Sequence, residues 1–258
     1  MNRLDDTFRN RPIFMPYFPF GYPNLKTSID VIEALAKNGA DLIEVGLAFS
    51  DPLADGPVIQ KATQIALHNG INVAKSLAAV RELRLRGVTI PLILMGYYNP
   101  MLAYGLERFV HDAEQAGADG FIIPDLPMEE AVEFEAVIGE LPLIHMLAPT
   151  TPEDRMQSIT QHAKGFLYLV SVTGITGVRQ SVMEGLGDLI ARVRAHTTTP
   201  VCVGFGIGTP EQASAVGAMA DGVIVGSACV KAIGDSTNPI ATATEFARSF
   251  QAALKMNV

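Results

Sequence analysis

Two carboxylates in one short stretch, DLIEVGLAFSDPLADGP (41–57), are the residues best suited to chemistry. Glu44 interrupts an apolar run that reads as a buried strand, and a glutamate is rarely buried unless it is paired with a cation or used. Burial raises a carboxyl pKa and suits the group to give and take protons near neutral pH. Asp55, between Ala54 and Gly56, reads equally as a loop aspartate or as a second working carboxylate. Asp51, before Pro52, reads as a turn former or a surface contact.

A second signal lies in the C-terminal third. Glycines in TGITG (173–177), GFGIG (204–208) and VGSA (225–228) each follow an apolar run. Glycine-rich loops that open a helix can hold a phosphate on backbone N–H groups, and Ser227 could add a hydroxyl and start that helix. Any one of these loops alone would read as turn punctuation; three in succession favour a phosphate site. Residues 171–187 read as a long loop before the next helix, either a functional lid or a plain surface loop. No lysine sits in or directly after an apolar run, Lys231 lying further on, which disfavours a Schiff base. His145 reads as a core residue. His68, His111, His162 and His196 read as scattered helical residues without metal spacing, so no metal site is expected. No dinucleotide fingerprint follows a strand. What remains is a phosphorylated substrate handled by carboxylates.

These residues need a scaffold, and the chain predicts one. Eight short apolar runs, at 13–18, 42–46, 91–96, 120–124, 143–147, 166–170, 201–205 and 222–226, alternate with stretches of helical spacing. In LKTSIDVIEALAKNG the residues Ile29, Ile32, Leu35 and Ala36 share a face, and Gly39 ends the helix. The phrases NGADLIEVG, AGADGFIIP and AMADGVIVG repeat one design, in which a helix stops, an Asp follows and a strand begins. The pattern predicts a (β/α)8 TIM barrel forming a single domain over 1–258. In such a barrel the C-terminal ends of the strands carry the chemistry, which selects Glu44, the loop after it, and Tyr17, Tyr97, Asn99, Asp125 and Tyr168. A net charge of −8 without a basic run excludes a nucleic-acid backbone as partner. No apolar run approaches a membrane span, and Cys202 and Cys229 read as buried thiols, so a cytoplasmic protein is expected.

DLIEVGLAFSDPLADGP, followed in order by LVSVTGITG, GFGIGTPEQA and DGVIVGSACV, resembles the α subunit family of tryptophan synthase over nearly the whole chain. The resemblance implies cofactor-free retro-aldol cleavage of indole-3-glycerol phosphate to indole and glyceraldehyde 3-phosphate, with Glu44 and Asp55 at the catalytic positions. It places Gly177, Phe205, Gly206, Gly226 and Ser227 around the phosphate, and Tyr17, Ile59, Ile122, Tyr168 and Thr176 along the indole pocket or its lid. It also implies a β subunit carrying pyridoxal phosphate in an α2β2 assembly, faced by Asp51 and Asn99. A stand-alone lyase and a catalytically weak regulatory paralogue are the alternatives. The chain departs from the family at Ala48, where many members have proline, at Pro19, where many have threonine, and at Tyr17, where many have phenylalanine.

Overall fold

In a computed structural model, which describes residues 3–9, 11–170, 180–204 and 206–256, the apolar runs form parallel strands. They are β1 (Ile13–Pro19), β2 (Ile43–Gly46), β3 (Leu92–Met95), β4 (Gly120–Ile122), β5 (Leu143–Ile144), β6 (Met146–Leu147), β7 (Leu167–Val170), β8 (Val201–Gly204) and β9 (Gly222–Val225). Their order is β5-β4-β3-β2-β1-β9-β8-β7-β6. The run at 143–147 is split at His145: β5 pairs with β4 and β6 with β7, so this one segment closes the ring. The Tyr168 N–H donates to the His145 carbonyl at 3.0 Å, carrying the ladder across the break. The result is the expected (β/α)8 barrel.

Side-chain alternation along each strand sorts the core. Ile13, Met15, Ile93, Ile122, Tyr168, Cys202 and Ile224 fill the barrel interior. Phe14, Phe18, Val45, Leu94, Phe121 and Leu169 point outward to the helices. Leu4 and Phe8, on and just after helix Arg3–Thr7, pack with the interior set, and the Phe8 ring lies 5.9 Å from that of Phe166. Helix Leu25–Lys37 buries Ile29, Ile32 and Leu35, as its spacing predicts, and Gly39 follows at φ 134°.

The repeated Asp has a physical role. The Asp41 carboxylate accepts the Phe14 N–H, Asp119 accepts Leu92 N–H and Asp221 accepts Val201 N–H, at 2.8, 2.8 and 2.9 Å. Each aspartate thus fastens the start of the strand beside its own. Asp119 also pairs with Arg3 at 2.8 Å and with Arg84, and Asp221 with Arg11 at 2.7 Å and Arg194 at 3.3 Å. Arg3 and Arg11 thereby tie the N-terminal segment to the barrel floor.

Three expectations change. Residues 180–187 are helical, not loop: helix Gln180–Arg194 buries Leu186, Leu189, Ile190 and Val193 on one face, and this periodicity outweighs Gly185 and Gly187, which read as loop signals. Asn99 lies in the first turn of helix Tyr98–Tyr104, and His196 just beyond helix Gln180–Arg194.

Asp119→Ala should lower unfolding free energy by about 3 kcal/mol or more, because it strands a buried guanidinium and an amide. Asp51→Ala, at an exposed site, should stay within about 0.5 kcal/mol. Denaturant unfolding of both variants checks this, and equal effects would contradict the clamp.

Candidate active site

The C-terminal ends of the strands surround a cavity of about 260 Å³. Glu44 enters it because Ile43 and Val45, its neighbours on β2, face the helices. It lies level with Tyr17 on β1 and Ile93 on β3. Only 2% of Glu44 is exposed, and among the described residues it has no ion pair. The cation that would make it a structural glutamate is therefore missing from its described surroundings. Burial, aided by the nearby charge of Asp55, pushes its pKa to about 8.

Asp55 reaches the cavity from the loop between β2 and helix Pro57–His68. The loop is pinned from several sides. Asp55 N–H donates to the Pro52 carbonyl at 3.1 Å, and Gln60 Nε2 donates to the Asp55 carbonyl at 2.9 Å. Ala54 N–H donates to the Tyr97 hydroxyl at 2.9 Å. Burial raises the Asp55 carboxyl to about 6, and the Tyr97 hydroxyl beside it works in the other direction. At neutral pH the pair therefore holds Glu44 mostly as the neutral acid and Asp55 mostly as the anion.

Glycines make room for the two tyrosines in the wall. A Cβ on Gly46 would lie 2.3 Å from the Tyr17 hydroxyl, and one on Gly204 would lie 2.4 Å from that of Tyr168. Each ring thus lies across a glycine of the adjacent strand. Burial raises both phenol pKa values well above normal, so both remain hydroxyls.

The two ends of the cavity differ. At the β8–β9 end stand Gly206 (φ 79°), Ile207 and Gly208, with Gly226 capping helix Ser227–Gly234 and Ser227 opening it. Backbone amides at such a helix start favour an anion. The β3–β6 end is apolar, formed by Met95, Ile122, Pro124 and Met146.

The cavity unites Tyr17, Glu44, Asp55, Ile59, Ile122, Tyr168, Gly206, Gly226 and Ser227. Thr176, Gly177 and Phe205 lie outside the described residues. Asp51 and Asn99 are exposed and do not line it. Met95, Pro124 and Met146 carried no polar signal that sequence could flag. Tyr97 was legible only as a strand-end residue; its bond to the Ala54 amide depends on the loop's fold.

A profile of the tryptophan synthase alpha chain family matches residues 4–257. The chain belongs to the tryptophan synthase alpha chain family. It is thus a lyase of tryptophan biosynthesis. The tryptophan synthase alpha chain of Chloroflexus aurantiacus is 51% identical over 237 residues, covering 89% of each chain. That of Roseiflexus castenholzii is 48% identical over 258 residues, covering 96% of this chain and 98% of its own. The crystal structure of tryptophan synthase subunit alpha from Legionella pneumophila superposes with a TM-score of 0.91 at 37% identity, covering 99% of both chains.

The raised Glu44 pKa predicts a sign for stability. The folded state keeps a proton that the unfolded chain releases near the ordinary glutamate value of 4.5, so stability is full below that pH and is lost as pH rises toward about 8. Glu44→Gln removes this loss. Its unfolding free energy relative to the native chain should rise from about pH 5 to about pH 8 by a few kcal/mol, read by denaturant unfolding; a pH-independent difference would show Glu44 to titrate normally.

Proposed function

We propose that the chain cleaves indole-3-glycerol phosphate to indole and glyceraldehyde 3-phosphate, with Glu44 moving the protons and Asp55 holding the indole nitrogen. The observation that carries this reading is the pairing of a neutral carboxyl and an ionised one in a single cavity with one anion-binding end and one apolar end.

Breaking the bond between indole C3 and the glycerol carbon requires C3 to accept a proton, so that the ring can take the bonding electrons. Glu44, neutral at pH 7, donates it. The resulting carboxylate takes the proton of the adjacent glycerol hydroxyl as the aldehyde forms. Asp55 accepts the indole N–H and stabilises the positive charge that grows on nitrogen as C3 is protonated. The phosphate rests on the amides of Gly206, Gly226 and Ser227; Phe205 and Gly177, outside the described residues, are assigned to phosphate binding by the family resemblance alone. Tyr17, Ile59, Ile122 and Tyr168 enclose the ring, and Thr176, outside the described residues, is given its lid role by the family resemblance alone. The Tyr17 hydroxyl lies at this wall where many relatives carry phenylalanine. The chain itself needs no cofactor.

The partner is a β subunit carrying pyridoxal phosphate, in a cytoplasmic α2β2 assembly. Exposed Leu53, Leu102 and Val132 stand on the connections after β2, β3 and β4, the strand ends that carry the cavity, with Asp51 and Asn99 on the first two of those connections. These side chains favour a partnered enzyme over a stand-alone one. A crystal structure of tryptophan synthase from M. tuberculosis in an aminoacrylate-bound form contains a chain similar to this one, with a TM-score of 0.88 at 34% identity. A Saccharomyces cerevisiae protein named tryptophan synthase is 46% identical over 230 residues, which are 32% of its own length.

Indole release from the phosphorylated substrate is the test. Glu44→Gln and Asp55→Asn should each lower kcat by roughly a hundredfold or more while substrate still binds. The native kcat/KM should be bell-shaped, rising through about 6 as Asp55 ionises and falling through about 8 as Glu44 loses its proton. Adding a β subunit should raise turnover. Undiminished cleavage by Glu44→Gln would overturn the assignment.

A further inference from the structure

Tyr17 reaches from the anion-binding end of the cavity to the strand of Glu44. A Cβ built on Gly226 would lie 3.8 Å from Tyr17 Cβ and 3.6 Å from Ile59 Cδ1. The hydroxyl extends the other way, across β2, where a Cβ on Gly46 would lie 2.3 Å from its oxygen. Alternate residues of a strand share a face, so Gly46 and Glu44 face the same side, and the phenol oxygen sits on that side, toward the mouth. Tyr17 is buried, and its hydroxyl is hydrogen-bonded to that of Thr63, which is buried on helix Pro57–His68.

Thr63 differs from the residues around it. Helix Pro57–His68 buries Ala62, Thr63 and Ala66, and of these Thr63 alone carries a hydrogen-bonding side chain. The alanines bring the helix close: a Cβ on Gly21, in the connection after β1, would lie 3.0 Å from Ala66 Cβ. Apolar contact of this kind is non-directional and leaves a helix able to slide or turn, whereas a hydrogen bond at a fixed point sets its register. That register bears on Asp55, which lies just before the helix. Gln60 N–H donates to the Gly56 carbonyl at 3.0 Å, and Gln60 Nε2 donates to the Asp55 carbonyl at 2.9 Å. A continuous set of contacts thus runs from the strand of Glu44 through Tyr17 and Thr63 to the backbone of Asp55.

We propose that Tyr17 is a positioning residue for the two carboxylates, its hydroxyl holding Thr63 so that helix Pro57–His68 presents Asp55 at a fixed distance from Glu44. The inference rests on the reaction assigned above, which needs Asp55 on the indole nitrogen while Glu44 reaches C3. Tyr97, after β3, holds the same loop through the Ala54 N–H at 2.9 Å. Without the Tyr17 hydroxyl the loop stays attached there, but the helix behind it is free to shift and Asp55 to retreat from the cavity. The titratable groups that act on the phenol are Asp55, Glu44 and Tyr97, and burial keeps the phenol neutral, so it works by hydrogen bonding and not by charge.

Tyr17→Phe, which keeps the ring and removes the hydroxyl, provides the test. Its kcat should fall about tenfold, the worth of one hydrogen bond, with KM within about twofold of the native value. Once Asp55 retreats it is less buried and its charge acts less on Glu44, so both limbs of the kcat/KM profile should move to lower pH by about half a pH unit. Thr63→Val, at a residue that does not line the cavity, should reproduce both changes, and Thr63→Ser should behave as the native chain. The double variant should be no worse than either single one, as a shared link requires. The midpoint at which the protonated-carboxyl infrared band of Glu44 disappears should fall by the same amount in Tyr17→Phe, a reading that needs no turnover. Unchanged limbs and an unchanged midpoint in Tyr17→Phe would overturn the positioning role and leave the reaction standing, as would additive losses in the double variant. A native chain that released no indole would overturn the reaction instead, while a lowered midpoint in Tyr17→Phe would still uphold the link.

Discussion

The carboxyl of Glu44 is held inside the barrel without a described cation to neutralise it. A charge there is costly, since the group is almost wholly buried and the charge that acts on it, that of Asp55, has the same sign. The molecule meets the cost by keeping a proton on Glu44 at neutral pH. The same proton is what a carbon acid–base reaction needs. Stability and reactivity therefore draw on one group in opposite directions, and the pH range in which Glu44 is a useful acid is the range in which its burial is tolerable.

The rest of the barrel serves to keep that carboxyl in place. Aspartates 41, 119 and 221 fasten strand starts at the floor, away from the chemistry, where rigidity has no functional penalty. At the opposite end the strands give up side chains: Gly46 and Gly204 leave space for the rings of Tyr17 and Tyr168, which turn the barrel mouth into a walled cavity. Asp55 is positioned from outside the strands, through a loop fixed by Tyr97 and Gln60, so its geometry can respond to whatever covers the exposed Leu53 and the connections beside it. A partner seated on that face would touch the loop that carries the second carboxylate.

Much of this was legible in the sequence because it follows from periodicity. The alternation of apolar runs with helical stretches gave the barrel, and Glu44 stood out as a charge in an apolar run. The repeated Asp was visible as a pattern, but its role was not, since the N–H each one accepts belongs to a strand distant in sequence. Glycines misled at 185 and 187, where the burial of Leu186 and Leu189 decides for helix. The apolar wall of Met95, Pro124 and Met146 carried no signal because apolar residues in strands are indistinguishable until the inward face is known. The break at His145 likewise had none: the run at 143–147 reads as one strand, and the split depends on its two halves pairing with different neighbours.

The protonation state of Glu44 is the central claim, and infrared difference spectroscopy of the native chain against Glu44→Gln measures it directly. A protonated-carboxyl C=O band present in the native chain and absent from the variant should persist through neutral pH and disappear with a midpoint near 8. Loss of that band with a midpoint close to the ordinary glutamate value of about 4.3 would show that Glu44 is ionised at neutral pH, and would contradict the account.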